Sequence, residues 1–301
     1  MLFCMHTIRT SYLLPFFFFF LFIVSCVPQK KAISGKKDLL ALDSKLEKNN
    51  TDLKKLDEKR KTKEAQNEID SAANSRIKTF IDKTGAEIKI MQLENSVIIQ
   101  ETEIDRNDWK KLLGALTRTR SAEQRINQKI MFLEDLMNRN MVIKLDQDVL
   151  FEPGKYTVTN TVASAVGNFF EPVAKEIDMF TQKYPDFPLS LVITAKGYAD
   201  GTSISEGTQL YKDLADGIRL NGRTVDAKEL NKELSVRRAR SVIELFEKYT
   251  KGRSVSGGSV KNILYLHEGK GEASPNPKIT DYSIDDARRR VVLLFWSVFP
   301  E

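Results

Sequence analysis

Between Pro28 and Pro153 the chain contains no proline, and from Lys36 to Glu152 its only glycines are Gly85 and Gly114. So long a stretch without breakers, rich in Lys, Glu, Asp, Gln and Leu, favours long helices over a charged disordered tether. Leu39, Leu42, Leu46, Leu53 and Leu56 recur at the three-four spacing of heptad a and d positions, and Asn49 fills the remaining d slot. That pattern predicts a coiled-coil seam whose register the polar Asn49 helps to set. One heptad further the same frame reaches Arg60 and Lys63, so the seam is expected to fade. A less regular helix is expected from Glu64 to Asp82, then a break at Lys83-Thr84-Gly85 and further helix carrying Ile88, Met91, Leu93, Ile98 and Ile99. Gly114 is expected to mark another bend before the stripe Ile126, Ile130, Leu133 and Met137. Two arrangements fit, a helical hairpin folded back on itself or an extended oligomeric rod. In the rod, some 45 helical residues would reach on the order of 65 Å.

Ahead of this region, Tyr12 to Val24 reads YLLPFFFFFLFIV, an unbroken apolar run preceded by the cation Arg9 and ended by Ser25-Cys26. It is shorter than the roughly 20 residues that a spanning helix needs, and its charged, apolar, small order is that of an export signal. Ile23-Val24-Ser25-Cys26 resembles a bacterial lipobox, in which the cysteine receives diacylglycerol and becomes the mature N-terminus. The resemblance implies removal of residues 1–25 and lipidation of Cys26. Val27, in place of an aspartate after the cysteine, is compatible with delivery to the outer membrane, facing the periplasm.

Processing at that point also removes Cys4 and His6, leaving Cys26 and His267 from the 2 cysteines and 2 histidines of the chain. A disulfide within the mature chain, a multi-cysteine metal site and a histidine-pair mechanism are thereby excluded, and no cofactor is expected. The composition of the whole chain, 29% charged and 41% hydrophobic, fits a soluble body. The net charge of +6 falls by one with the loss of Arg9, a modest positive balance that suits work beside anionic envelope polymers. Nucleic acid is not an expected partner of an exported chain.

From Met141 the pattern changes. Met141 to Phe151 reads as a strand closed by Gly154, and Pro172 is expected to start a helix with Val173, Ile177 and Phe180 on its core face. Phe187, Leu189, Leu191 and Ile193 alternate with Ser190, Val192 and Thr194 in a second strand running to Gly197. Leu230 to Tyr249 is a helix, and Asn262 to His267 and Arg290 to Val298 supply two more strands, with Phe295 and Trp296 as core residues. The order is βαβαββ, an α+β sandwich of helices on a mixed sheet.

Four separated segments carry a resemblance in the right order: Val149-Leu150-Phe151; Gly197-Tyr198-Ala199-Asp200; Asn231-Lys232-Glu233-Leu234-Ser235-Val236-Arg237-Arg238-Ala239; and Gly269-Lys270-Gly271-Glu272-Ala273-Ser274-Pro275, with Arg289-Arg290-Val291 following. Together they resemble the OmpA-like C-terminal domain, the peptidoglycan-associating module of envelope lipoproteins and flagellar stator subunits. The resemblance divides the chain into a signal peptide (1–25), a lipidated N-terminus and linker (26–37), a helical or coiled-coil spacer (38–140) and an OmpA-like domain (141–301).

The ligand that the resemblance implies is the diamino acid of the peptidoglycan stem peptide, whose free end carries an ammonium and a carboxylate. Reading it takes a fixed anion and a fixed cation, which the resemblance assigns to Asp200 and Arg238, with Asn231 fixing the loop or meeting the ligand backbone. Arg237 is expected to be solvated, Arg289 and Arg290 to pair with carboxylates, and Glu272 to accept a loop-fixing hydrogen bond. Tyr198 and Ala199 replace the family's His and Thr, Arg288 replaces its Asn, and residues 201–230 form an insertion at the mouth of the site. That insertion could lid the pocket, contact glycan or dock a partner.

The resulting expectation is a non-catalytic lipoprotein that tethers the outer membrane to the wall, with a homo-oligomer or other envelope proteins engaging its helices. An alternative is a subunit of a larger motor or secretion machine. The apolar run 12–24 carries no carboxylate for proton relay, which weighs against an ion-conducting motor. A wall hydrolase would need two carboxyls facing across a sugar, and the sequence pins no second carboxylate beside Asp200 or Glu272.

Overall fold

The computed structural model describes residues 29–102, 104–185, 187–251 and 260–300. Residues 1–25, expected to be an export signal, and Cys26 lie outside the described residues. The described chain is α+β, with seven α-helices and one mixed four-stranded sheet. It divides into two compact units, 29–51 with 84–129, and 52–83 with 130–301. Among the described residues no helix is long and apolar enough to cross a membrane.

The first unit is built from parts of three helices, α1 (Gln29–Ala65), α2 (Ser71–Gln100) and α3 (Arg106–Asn138). Leu39 of α1 packs with Leu112 and Ala115 of α3, and Ile98 and Ile99 of α2 close the cluster. The chain therefore folds back on itself. Neither predicted glycine break occurs, because α2 runs through Gly85 and α3 through Gly114. A single glycine costs about 1 kcal/mol in a helix, and burial of Ile81, Thr84 and Ile88 along one stripe outweighs it. The reversals fall instead where Asp residues cap the next helix. Asp70 accepts from the Ala73 amide at 2.8 Å, and Asp105 accepts from the Asn107 and Asp108 amides at 2.7 and 2.8 Å.

In the second unit the sheet order is β1-β4-β2-β3, from β1 (Val142–Asp146), β2 (Leu189–Gly197), β3 (Val260–Gly269) and β4 (Val291–Pro300). β2 pairs parallel with β3 and antiparallel with β4, and β1 lies antiparallel on the far side of β4. On one face lie α5 (Asn160–Lys183) and α7 (Ala227–Lys251). Phe180 of α5 meets Trp296 edge-on at 6.5 Å, and Phe246 of α7 meets Phe170 of α5 at 4.9 Å.

The alternation in β2 predicts one polar face, yet Val192, Thr194, Lys196 and Tyr198 are buried as well. Residues 52–83 supply the cover, through Asn67 on Tyr198 and Arg76 over the Phe299 ring at 5.8 Å. Phe132 of α3 adds a cluster with Phe80, Phe180, Tyr184 and Phe187, so residues on both sides of position 141 share one core. Arg60, where the seam was expected to fade, is itself buried and donates to Asp57 at 2.7 Å and to Asn74.

Two further expectations are corrected. The first strand stops at Asp146 rather than Phe151, because the Asp146 side chain accepts from the Asp148 amide at 3.1 Å and caps the short helix α4 (Gln147–Leu150). Pro172 does not start its helix. Thr159 caps α5 well upstream, and Pro172 lies in the helix interior.

Candidate functional site

Two glycines let α7 reach the strand ends. A Cβ on Gly197, the last residue of β2, would run into the Ser235 carbonyl, and one on Gly269, the last of β3, would meet the Ser235 hydroxyl and the Val236 amide. The Ser235 hydroxyl accepts from the Gly271 amide at 2.9 Å, which fixes the loop after β3 against the helix. Asn231 and Arg238, seven residues apart and hence on one helix face, are brought beside Asp200, three residues beyond the end of β2. Asp200, Asn231 and Arg238 line one cleft of about 380 Å³, together with Asp148 and Arg290.

The three side chains differ in how far the protein satisfies them. Asn231 is buried and donates to Glu272 at 2.9 Å, so it ties α7 to the loop after β3. Arg238 is buried over the Phe151 ring at 5.3 Å, donates from Nε and Nη2 to the Lys155 carbonyl at 3.2 and 3.1 Å, and donates from Nη1 to Gln147 Oε1. Of the five N–H groups of a guanidinium, two remain uncommitted. Burial pushes Arg238 down to about 10, against the opposing pull of the Asp148 and Asp200 carboxylates. Among the described residues Asp200 accepts only a long hydrogen bond, from the Thr202 amide at 3.3 Å.

The cation nearest to Asp200 is Arg290 rather than Arg238. Arg290 Nε lies 3.7 Å from Asp200 Oδ2, and its Nη2 lies 3.2 Å from Asp148 Oδ2. That Nε is buried and makes no hydrogen bond. Arg289, expected to pair with a carboxylate, instead donates from Nη1 to the backbone carbonyl of Ser283, at 3.1 Å, and from Nη2 to that of Glu272, while its Nε is likewise buried without a hydrogen-bond partner. The cleft thus places one underbonded carboxylate beside a guanidinium with a free donor. This arrangement suits a ligand that carries both charges at one end.

Arg237 is corrected from a solvated residue to a half-buried one. It donates to Glu233 at 3.2 Å and to the Asp213 carbonyl at 2.8 Å, and lies over the Tyr156 ring at 4.9 Å. The insertion that it grips holds a helix, α6 (Gln209–Leu220), whose Leu214, Ala215 and Ile218 pack on Leu230 and Leu234.

Sequence reasoning missed two residues. Gln147 is fully buried and donates from Nε2 to the carbonyls of Tyr198 and Val291 at 2.7 and 2.8 Å, while its Oε1 holds Arg238. Nothing in the pattern of Met141 to Phe151 singles it out, although the Asp146-x-Asp148 pair signals the turn it sits on. Asn67, at φ 56°, donates to the Tyr198 hydroxyl at 2.8 Å and to the Pro275 carbonyl at 2.9 Å. One side chain from the α1–α2 turn therefore ties Tyr198, two residues before Asp200, to the loop after β3. The buried Tyr198 phenol is pushed up to about 12 by desolvation. Comparison with family models finds no match to this chain, and comparison with curated proteins finds none either.

Proposed function

We propose that this chain is a lipid-anchored, non-catalytic protein of OmpA-like architecture that tethers the outer membrane to peptidoglycan by binding the stem-peptide diamino acid. The observation that carries the reading is the convergence of Asp200, Asn231 and Arg238, distant in sequence, on one cleft that also holds Arg290. Asp200 takes the ligand's ammonium. The carboxylate goes to the two guanidiniums that line the cleft, Arg238 with its uncommitted N–H groups and Arg290 beside it. Asn231 holds the Glu272 loop that bounds the site. Acylation at Cys26 supplies the membrane end.

Co-sedimentation of the full chain with purified wall sacculi tests this. Wild type is expected to pellet, and Asp200→Asn and Arg290→Gln, each verified as folded by circular dichroism, are expected to lose about tenfold or more in affinity. That loss corresponds to one charge-assisted hydrogen bond of about 1.5–3 kcal/mol. A folded wild type that stays in the supernatant would overturn the proposal.

A further inference from the structure

The 201–230 insertion contributes Thr202, Ser203, Ile204 and Leu210 to the wall of the Asp200 cleft. It forms one wall of a second cleft, of about 490 Å³, whose other wall is the segment from Pro153 to Thr157. The two clefts are neighbours, with Pro153, Gly154, Ser203, Ile204 and Leu210 lining both.

Both walls are fixed to α7, so the space is present before any ligand arrives. Arg238 holds the Lys155 carbonyl, and the Ser241 hydroxyl donates to the Tyr156 carbonyl at 2.6 Å. On the insertion side Arg237 holds the Asp213 carbonyl at 2.8 Å, and Arg223 pairs with Glu229 and Glu233 at 2.7 and 2.9 Å. Gly217 of α6 leaves room for the Arg237 guanidinium, which a Cβ there would displace.

The lining chemistry differs from that of the charged cleft. Hydroxyls of Thr157, Ser203 and Ser205 stand beside the apolar side chains of Ile204 and Leu210 and the ring of Tyr156. The Asp213 carboxylate is already engaged by Gln209 at 2.6 Å and by the Tyr156 hydroxyl at 3.4 Å. Lys155, the other charged residue of this lining, is exposed. Unspent hydroxyls between apolar surfaces match a ligand that alternates hydroxyl and amide groups with apolar faces.

We infer that this second cleft is a saccharide subsite, which takes a neutral N-acetylated amino sugar of the same polymer whose diamino acid enters the Asp200 cleft. The inference rests on the wall-binding reading above. Through this subsite the insertion turns recognition of a peptide end into recognition of a glycan with its peptide.

Isothermal titration of the full chain tests it with two probes, a soluble stem peptide ending in diaminopimelate and the same peptide carrying its N-acetylated disaccharide. The disaccharide-peptide is expected to bind about tenfold more tightly, the worth of one or two net hydrogen bonds. Thr157→Trp and Ser205→Trp, at exposed positions that line only the second cleft, are expected to bring the two affinities together and leave that of the bare peptide unchanged. Equal affinities in wild type would overturn the subsite and leave the diamino-acid reading intact. Binding of neither probe would overturn both. A disaccharide advantage that survives in both tryptophan variants would place the sugar elsewhere and overturn the subsite alone.

Discussion

Two polar clusters among the described residues are satisfied to different degrees. In the helical unit, Thr119 donates to Asn95 at 2.9 Å and Asn95 donates to Asp43 at 2.9 Å, a chain of side chains running across all three helices. In the cleft of the sheet-bearing unit, Asp200 meets Arg290 at 3.7 Å, longer than a hydrogen bond, and the Arg290 Nε has no acceptor. Leaving buried polar groups underbonded costs stability, and a fold tolerates that where the missing partner is a ligand. On the wall-binding proposal, the satisfied network is architecture and the incomplete one is the part that a ligand would complete. Arg238 stands between these cases, with three N–H groups spent on the fold and two left for a ligand.

The sharpest way to break this comparison is to remove Gln147, which supplies the satisfied part of the cleft. Gln147→Leu leaves the Tyr198 carbonyl without its donor and strips Arg238 of its Gln147 acceptor, both in buried surroundings. The expected loss is about 3 kcal/mol or more, read as a lower urea midpoint. A loss below about 1 kcal/mol would mean that the cleft reorganises freely around Arg238. Its order would then be no evidence of a preformed site.

Asn67→Ala is expected to have a smaller effect. It removes two hydrogen bonds and places alanine at φ 56°, for an expected loss of about 1–3 kcal/mol. Asn67→Gly keeps the left-handed backbone without the side chain, so it separates the two contributions. If the Asn67 clamp orders the loops beside the cleft, both variants should weaken sacculus binding several-fold. Unchanged binding in both would confine Asn67 to stability.

Much of this molecule is legible in the sequence because the signals are local. The three-four spacing of Leu39 to Leu56 shows which face of α1 is buried, and the runs around Leu191 and Leu294 mark the central strands. The expected order of strands and helices is present, with α4 and α6 added. The illegible parts depend on contacts between distant segments. Gly85 looks like a breaker until Thr84 and Ile88 are seen to be buried, and Tyr198 looks like a departure from a motif until Asn67 is found on its hydroxyl. Asp200, Asn231 and Arg238 share one cleft, but neither Gln147 nor the closer approach of Arg290 to Asp200 has any signature in spacing.

The smallest expected effect sharpens the comparison, because it concerns an underbonded polar group outside the cleft. Asn49 is buried on the α1 seam, and its Nδ2 makes no hydrogen bond. If incomplete satisfaction is useful only where a ligand completes it, Asn49 is a plain cost. Asn49→Leu should then raise stability by about 1 kcal/mol in urea unfolding, with sacculus binding unchanged. A polar residue at a d position has another use, since it can fix helix register and strand number at the expense of stability. In that case Asn49→Leu would change the oligomeric state in sedimentation equilibrium or broaden the unfolding transition. Either change would assign the unsatisfied amide to specificity of helix pairing, and the distinction between architecture and recognition would then hold for the cleft but not for the helices.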